Sequence, residues 1–262
     1  VLSCLNFRNF TGSNVLSALK MKTKIKTYSF LIQPQDVDFQ CQVTMASLTN
    51  ILLTTAGFNA DDNGFGIRNL NENDCSWVLL RLAVEMQYFP KQYESIEVET
   101  WVEEVGRATT TRNFCIRNEN NEVIGNASST WAMINIITRR AQDLISLDGI
   151  HEFANGKTVA IEKPIKLSGV EGAPVDVFKV KYSHIDINGH VNSMRYVEWI
   201  CNCFSIETYK NKQIKRFEIN YVNEIRFGEE ASLSMVEIEK DDFRFEILKE
   251  GKTACKARIV FC

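Results

Sequence analysis

Residues 30–38 and residues 178–186 share one pattern, an apolar stretch ending on an aspartate (Asp38, Asp186), 148 positions apart with no gap. A chain that repeats itself in this way must build the same supersecondary unit twice, which constrains its fold more than any bulk property. The match runs on through Val43 over Val191 into two helical patterns, residues 44–57 and 192–209. Residues 84–88 then match residues 217–221 at an offset of 133, so the first copy holds fifteen extra residues between helix and next strand, roughly residues 57–73.

Each copy reads strand, helix, then a run of strands. Ile96, Val98, Thr100 and Val102 alternate with Glu97, Glu99, Trp101 and Glu103, while Phe243, Phe245 and Ile247 alternate with Arg244 and Glu246. A period of two marks half-buried antiparallel strands. Residues 39–60 contain no Asp, Glu, Lys or Arg. A helix without a charged face has little to show to water and is expected to be enclosed on several sides. An α+β architecture follows, in which a long helix is wrapped by a curved antiparallel sheet, twice over. The copies divide the chain into an N-terminal half, residues 24–150, a Gly- and Pro-containing crossover linker, residues 151–176, and a C-terminal half, residues 177–262.

At ~150 residues per domain, 262 residues fit one large domain or two small ones. With 45% hydrophobic and 24% charged residues, disorder is excluded as the main state. The 30 basic and 33 acidic residues balance too closely for a nucleic-acid protein read by bulk charge. No run approaches the ~18 apolar residues of a membrane span. The eight cysteines are scattered, with no C-x-x-C pair, and are read as reduced thiols of a cytoplasmic protein. Residues 1–23 form an N-terminal extension; it begins with Val1, bears a faint likeness to a transit peptide, and is read as sequence upstream of Met21.

The repeat lets one half serve as a control for the other. Where the first copy has Asp38, Gln40 and Gln42, the second has Asp186, Asn188 and His190. A turn that merely ends a strand and caps a helix needs no titratable third residue, so the catalytic site is expected in the second copy alone.

The stretch YSHIDINGHVNSMRYVEW, residues 182–199, resembles the signature of the acyl-acyl-carrier-protein thioesterases. Supporting stretches are residues 77–81 and 99–101, Trp131 with Asn135 and residues 138–140, and residues 217–228. The likeness extends over residues 24–262 and is to a bacterial-type member. It implies a tandem (double) hotdog fold, an acyl pocket supplied largely by the first half, and acyl carrier protein as the bearer of the substrate. Asp186, Asn188 and His190 match the family's D-x-N-x-H, and Glu224 its downstream acidic residue. Plant members carry a cysteine directly after that glutamate, whereas this sequence has Ile225, which argues against a covalent cysteine mechanism. Members often have an acidic residue where His184 stands and an asparagine where Ser193 stands.

Thioester hydrolysis needs an activated water, donors for the oxyanion and a leaving thiol, whose pKa near ~8.5 spares it strong protonation. Glu224 or Asp186 is expected as general base with His190 in the same network, Asn188 as an orienting group, and the backbone N–H groups near Val191 and Asn192 as oxyanion donors. Taken singly, Asp186 and Asn192 read as strand-end and helix-cap residues. His184, Asp186 and His190 have a spacing that weakly fits a metal, and neither metal nor cofactor is expected. No G-x-S-x-G elbow, Walker A or G-x-G-x-x-G loop occurs. Trp77, Trp101, Trp131 and Trp199 read as core or rim residues, some facing the acyl channel. Lys210, Lys212, Lys215 and Arg216 read as a solvated turn or a landing strip for an acidic carrier protein. An acyl-CoA thioesterase and a noncatalytic acyl-chain binder are the alternatives. Two fused hotdogs already make the pairing that single ones obtain by dimerising, which leaves a homodimer open.

Overall fold

The computed structural model describes residues 24–262 except Asp148. The expected N-terminal extension, residues 1–23, lies outside the described residues. Ten strands form one antiparallel sheet in the order β1-β3-β4-β5-β2-β7-β10-β9-β8-β6. The first half supplies β1 (Ile25–Leu31), β2 (Cys75–Met86), β3 (Ser95–Val105), β4 (Thr110–Asn118) and β5 (Val123–Asn135). The second supplies β6 (Asp176–Lys179), β7 (Ile214–Tyr221), β8 (Glu230–Glu239), β9 (Asp242–Lys249) and β10 (Lys252–Phe261). Read from its two ends inward, the sheet has the same order twice, and the halves join where β2 pairs with β7. The tandem arrangement expected from the repeat is therefore a tandem hotdog built on a shared sheet.

Helix α1 (Met45–Asp62) lies in the first half, capped by the Thr44 side chain, which accepts from Ser47 N–H. Leu48 and Leu52 are fully buried, and Thr49 and Thr55 are buried as well because their hydroxyls donate to Met45 and Ile51 C=O, both at 2.8 Å. Each returned hydroxyl removes the penalty of a buried polar group, which is how a helix with few large apolar residues stays enclosed. The fifteen extra residues of the first copy lengthen α1 and form the short α2 (Ile67–Asn71), whose Leu70 packs in a small cluster with Met133, Leu144 and Ile150.

The second copy departs from its expected continuous helix over residues 192–209. Helix α3 (Ser193–Cys201) stops at Asn202, and α4 (Ile206–Asn211) starts afresh with Ser205 as its cap, accepting from Thr208 N–H. The break sets Phe204 edge-to-face against Phe243 and Phe261, with centroids 4.9 and 4.8 Å apart. Aromatic pairs of this kind contribute ~0.5–1.5 kcal/mol beyond their buried area, so packing overrides helical continuity. Val197 and Ile200 of α3 join Leu48 and Leu52 of α1 in one core that spans both halves.

Between β5 and β6 the chain crosses the outer face of the sheet. Leu167 N–H donates to Asn220 Oδ1 at 2.9 Å, Asn220 Nδ2 donates to Ile165 C=O at 3.1 Å, and Val170 N–H donates to Glu246 Oε2 at 2.8 Å. Glu218, Asn220 and Glu246 are consequently buried on what strand alternation assigns to solvent.

Candidate active site

The loop between β6 and α3 is shaped by Asp186. Its Oδ1 accepts from Asn188 N–H at 2.8 Å and His190 N–H at 3.3 Å, and its own N–H donates to His190 C=O at 2.8 Å. Gly189 occupies the left-handed region at φ +77°, which glycine adopts without strain. Val191 N–H then donates to Ile225 C=O at 2.8 Å, pinning the loop to the segment that follows β7. That pinning brings His190 opposite Glu224, with Nε2 3.0 Å from Oε2. The imidazole is 18% exposed and the carboxylate 37%, so the pair sits at a surface that a substrate can reach.

Glu224 has a second partner that the sequence reading did not assign. Arg139 Nη2 donates to Oε1, leaving Oε2 to the imidazole. Arg139 stands in a turn after β5 in which Asn135 Oδ1 accepts from Ile137 and Thr138 N–H at 3.1 and 2.8 Å. Residues 138–140 contributed to the family likeness, but nothing in their spacing shows that a first-half turn closes on a second-half carboxylate.

The first half repeats the loop without its chemistry. Asp38 Oδ1 accepts from Gln40 and Gln42 N–H at 2.8 and 3.1 Å, and Val43 N–H donates to Pro90 C=O at 2.9 Å. Gln42 takes the place of His190, and the buried Phe89 precedes Pro90 as Glu224 precedes Ile225. Asp186 thus does in its loop what Asp38 does in a loop that has neither the imidazole nor the glutamate. The Asn188 side chain is exposed and makes no hydrogen bond among the described residues.

The expected oxyanion donors are corrected. Val191 N–H is held by Ile225 C=O, and Asn192 N–H by His184 C=O at 2.8 Å. Among the described residues, the first N–H of α3 without an acceptor is that of Ser193, one residue further on. Asn192 caps the helix through Oδ1, accepting from Met194 N–H at 2.9 Å. His184 Nδ1 accepts from Lys181 N–H at 3.2 Å and its ring meets Trp199 edge-on at 5.3 Å. Burial, then Arg195 and Lys181, lower its pKa below the usual 6.5. Among the described residues, no three His, Cys, Asp or Glu side chains lie close enough to hold a metal.

The basic run is not a free strip. Arg216 is buried beside Glu218 and Glu85, Lys212 is paired with Asp241, and Lys210 with Glu207 at 3.3 Å. Trp101 is buried, donating from Nε1 to Lys157 C=O at 2.6 Å, whereas Trp77 and Trp131 line a cavity of about 290 Å³ between α1 and the sheet of the first half. A larger cavity, about 750 Å³, is lined by Gln35, Gln42 and Asn50 of the first half and by Asn192, Arg195 and Glu198 of the second; neither cavity is lined by His190 or Glu224. The smaller cavity is the better candidate for an acyl chain because its walls are mostly apolar, and because Trp131 and the Arg139 turn follow one another along the chain from β5. The seven described cysteines are unpaired.

A sheet shared by two hotdog halves, with a histidine–glutamate contact beside the loop of the second and none at the equivalent place among the described residues of the first, defines a tandem hotdog protein. Family models for the acyl-ACP thioesterase N-terminal domain and C-terminal domain match residues 23–148 and 168–262. The chain belongs to the acyl-ACP thioesterase family. It is 44% identical to an acyl-ACP thioesterase of Bacteroides thetaiotaomicron of known structure, with a TM-score of 0.86 over 91% of this chain and 98% of that one. A 12:0-ACP thioesterase from Umbellularia californica shares the fold at 19% identity, with a TM-score of 0.81 over 92% and 98% of the two chains. Among curated relatives, a chloroplastic palmitoyl-acyl carrier protein thioesterase of Arabidopsis thaliana is 29% identical over 65% of this chain and 43% of its own length. An oleoyl counterpart from Coriandrum sativum is 25% identical over 88% and 66%. The chain thus spans under two thirds of the length of these plant proteins.

Proposed function

We propose that the chain hydrolyses the thioester of fatty acyl-acyl-carrier-protein and releases the free fatty acid, with water as nucleophile and no cofactor. The observation that carries this reading is the contact between His190 Nε2 and Glu224 Oε2 at 3.0 Å, present in one half and replaced by Gln42 and Phe89 in the other. With Nε2–H directed at the carboxylate, Nδ1 of the neutral imidazole keeps its lone pair, and Glu224 retains further lone pairs of its own. A water set against the pair gives up a proton to it as its oxygen attacks the thioester carbonyl. The C–S bond then breaks, and the proton held by the pair passes to the departing thiolate.

In this reading Asp186 fixes the loop that presents His190, Asn188 orients the water or the thioester from its exposed position, and Ser193 N–H at the start of α3 offers an oxyanion donor. A single such donor is worth ~10²-fold or more in rate. The three groups of the D-x-N-x-H loop and Glu224 are thereby assigned to the site together. Residues 24–150 form the acyl-pocket half, residues 151–176 the linker, and residues 177–262 the catalytic half. No helix among the described residues is long and apolar enough to cross a membrane; the cytoplasm is the proposed location, and light scattering on the purified chain distinguishes monomer from homodimer.

Matched acyl-acyl-carrier-protein and acyl-CoA substrates test the function. Faster release from the carrier protein is expected, with loss of release in His190→Ala and Glu224→Ala. Preference for CoA transfers the reading to an acyl-CoA thioesterase, and no release from either to a noncatalytic binder.

A further inference from the structure

In the wall of the 290 Å³ cavity stands a guanidinium that forms no ion pair among the described residues. Arg112, on β4, is buried and lines the cavity together with Asn59 of α1 and the apolar Leu53, Ala56 and Trp131. Its guanidinium makes two hydrogen bonds, both from Nη1 and both to neutral oxygens: Asn59 Oδ1 at 2.7 Å and Thr100 Oγ1 at 3.2 Å. Among the described residues no carboxylate lies within ion-pair distance of it, and its Nε and Nη2 make no hydrogen bond. Asn59 is 3% exposed, and its buried Nδ2 makes no hydrogen bond of good geometry; beside it and Arg112 stands the neutral Tyr28 hydroxyl, which donates to Asp62 at 2.7 Å. Burial lowers the Arg112 pKa to about 10, which leaves the group charged at neutral pH.

Arg112 Nε and Nη2 and Asn59 Nδ2 therefore stand in a mostly apolar wall without a hydrogen bond of good geometry among the described residues. A plain hydrocarbon pushed against them strips off any water and leaves them unpaired, a cost that buried polar groups do not escape. A site built of hydrogen-bonding groups in this way discriminates strongly against an analogue that lacks the matching oxygen.

We propose that this cavity binds an acyl chain carrying a hydrogen-bond-accepting oxygen on its hydrocarbon part, received by Arg112 and Asn59. The proposal rests on the thioesterase reading, since it takes this first-half cavity as the acyl pocket that serves the His190–Glu224 pair, which does not itself line it. The oxygen function is a hydroxyl or a far-end carboxylate, which share the acceptor chemistry.

Calorimetric binding of free fatty acids tests it without turnover, so that its failure is separable from failure of the hydrolase reading. Acids of one chain length are compared: the plain acid, acids hydroxylated at positions from mid-chain to the far end, and the dicarboxylic acid. At least one oxygenated acid is expected to bind the unaltered protein roughly tenfold or more tightly than the plain acid, the size of a hydrogen bond to a charged group. In Arg112→Met that preference is expected to fall to about twofold or less while plain-acid binding is kept. A hydroxyl preference identifies a hydroxyacyl substrate and a carboxylate preference a dicarboxylic one. Equal binding of plain and oxygenated acids by the unaltered protein overturns the proposal, whether or not Arg112→Met folds, as does a preference that survives in a folded Arg112→Met.

Discussion

Val84 and Phe217, equivalent positions of the two repeats, face each other as partners across the β2–β7 seam, and both are fully buried. The pseudo-twofold of the molecule passes through this pair, so neither half has a core that closes without the other. Replacing Phe217 by Ala opens a cavity at the seam and is expected to cost about 3–5 kcal/mol. One cooperative unfolding transition, seen alike by far-UV and aromatic circular dichroism, is expected to shift as a unit. Two separated transitions would mean that the halves fold independently.

Asp38 and Asp186 hold their loops by the same pair of accepted N–H groups. Asp38→Ala and Asp186→Ala are therefore expected to cost similar stability, about 1–2 kcal/mol each. Only Asp186→Ala is expected to reduce turnover, because only its loop presents a histidine to a glutamate. Urea denaturation beside steady-state kinetics checks both. Equal losses of activity in the two variants would show that the chemistry is not confined to the second half.

Much of this was legible in the residues because repetition supplies its own control. The α+β tandem plan followed from the offset between copies, and the enclosure of α1 from the absence of charge over residues 39–60. Contacts made between distant segments were not legible. The interruption after Cys201 is set by Phe204 reaching Phe243 and Phe261, some forty and more residues away. Glu218 and Glu246 alternate like solvent-facing residues, and only the crossing of the linker buries them. The N–H groups of Val191 and Asn192 read as free oxyanion donors because the sequence does not reveal their acceptors, Ile225 and His184. Arg139 escaped for the same reason: 85 positions separate it from Glu224.

Arg139 holds one oxygen of Glu224 while His190 holds the other. Both members of the ion pair are partly solvated, 49% and 37% exposed, a setting in which such pairs contribute at most ~1 kcal/mol to stability. Arg139→Ala is expected to leave the melting temperature nearly unchanged, to lower kcat roughly tenfold or more by freeing the carboxylate to rotate, and to change KM by about twofold or less. Arg139→Lys keeps the charge but not the planar fork and is expected to restore part of kcat. A variant whose KM rises while kcat holds would assign Arg139 to substrate binding instead.

The last expectation concerns pH. His184 has a folded-state pKa below 6.5, from burial first and from Arg195 and Lys181 after it, with Glu198 opposing. The unfolded chain therefore binds this proton more readily than the folded one as pH drops through 6.5. The linkage sign is positive: stability is full above the unfolded value and is lost as pH falls through the folded one. One proton contributes a slope of at most about 1.4 kcal/mol per pH unit in that window. Urea midpoints measured from pH 7.5 down to pH 5 are expected to fall less steeply in His184→Gln, which cannot take up the proton. An unchanged slope in that variant would move the effect away from His184, and its packing against Trp199 would then have no part in the acid sensitivity of the loop.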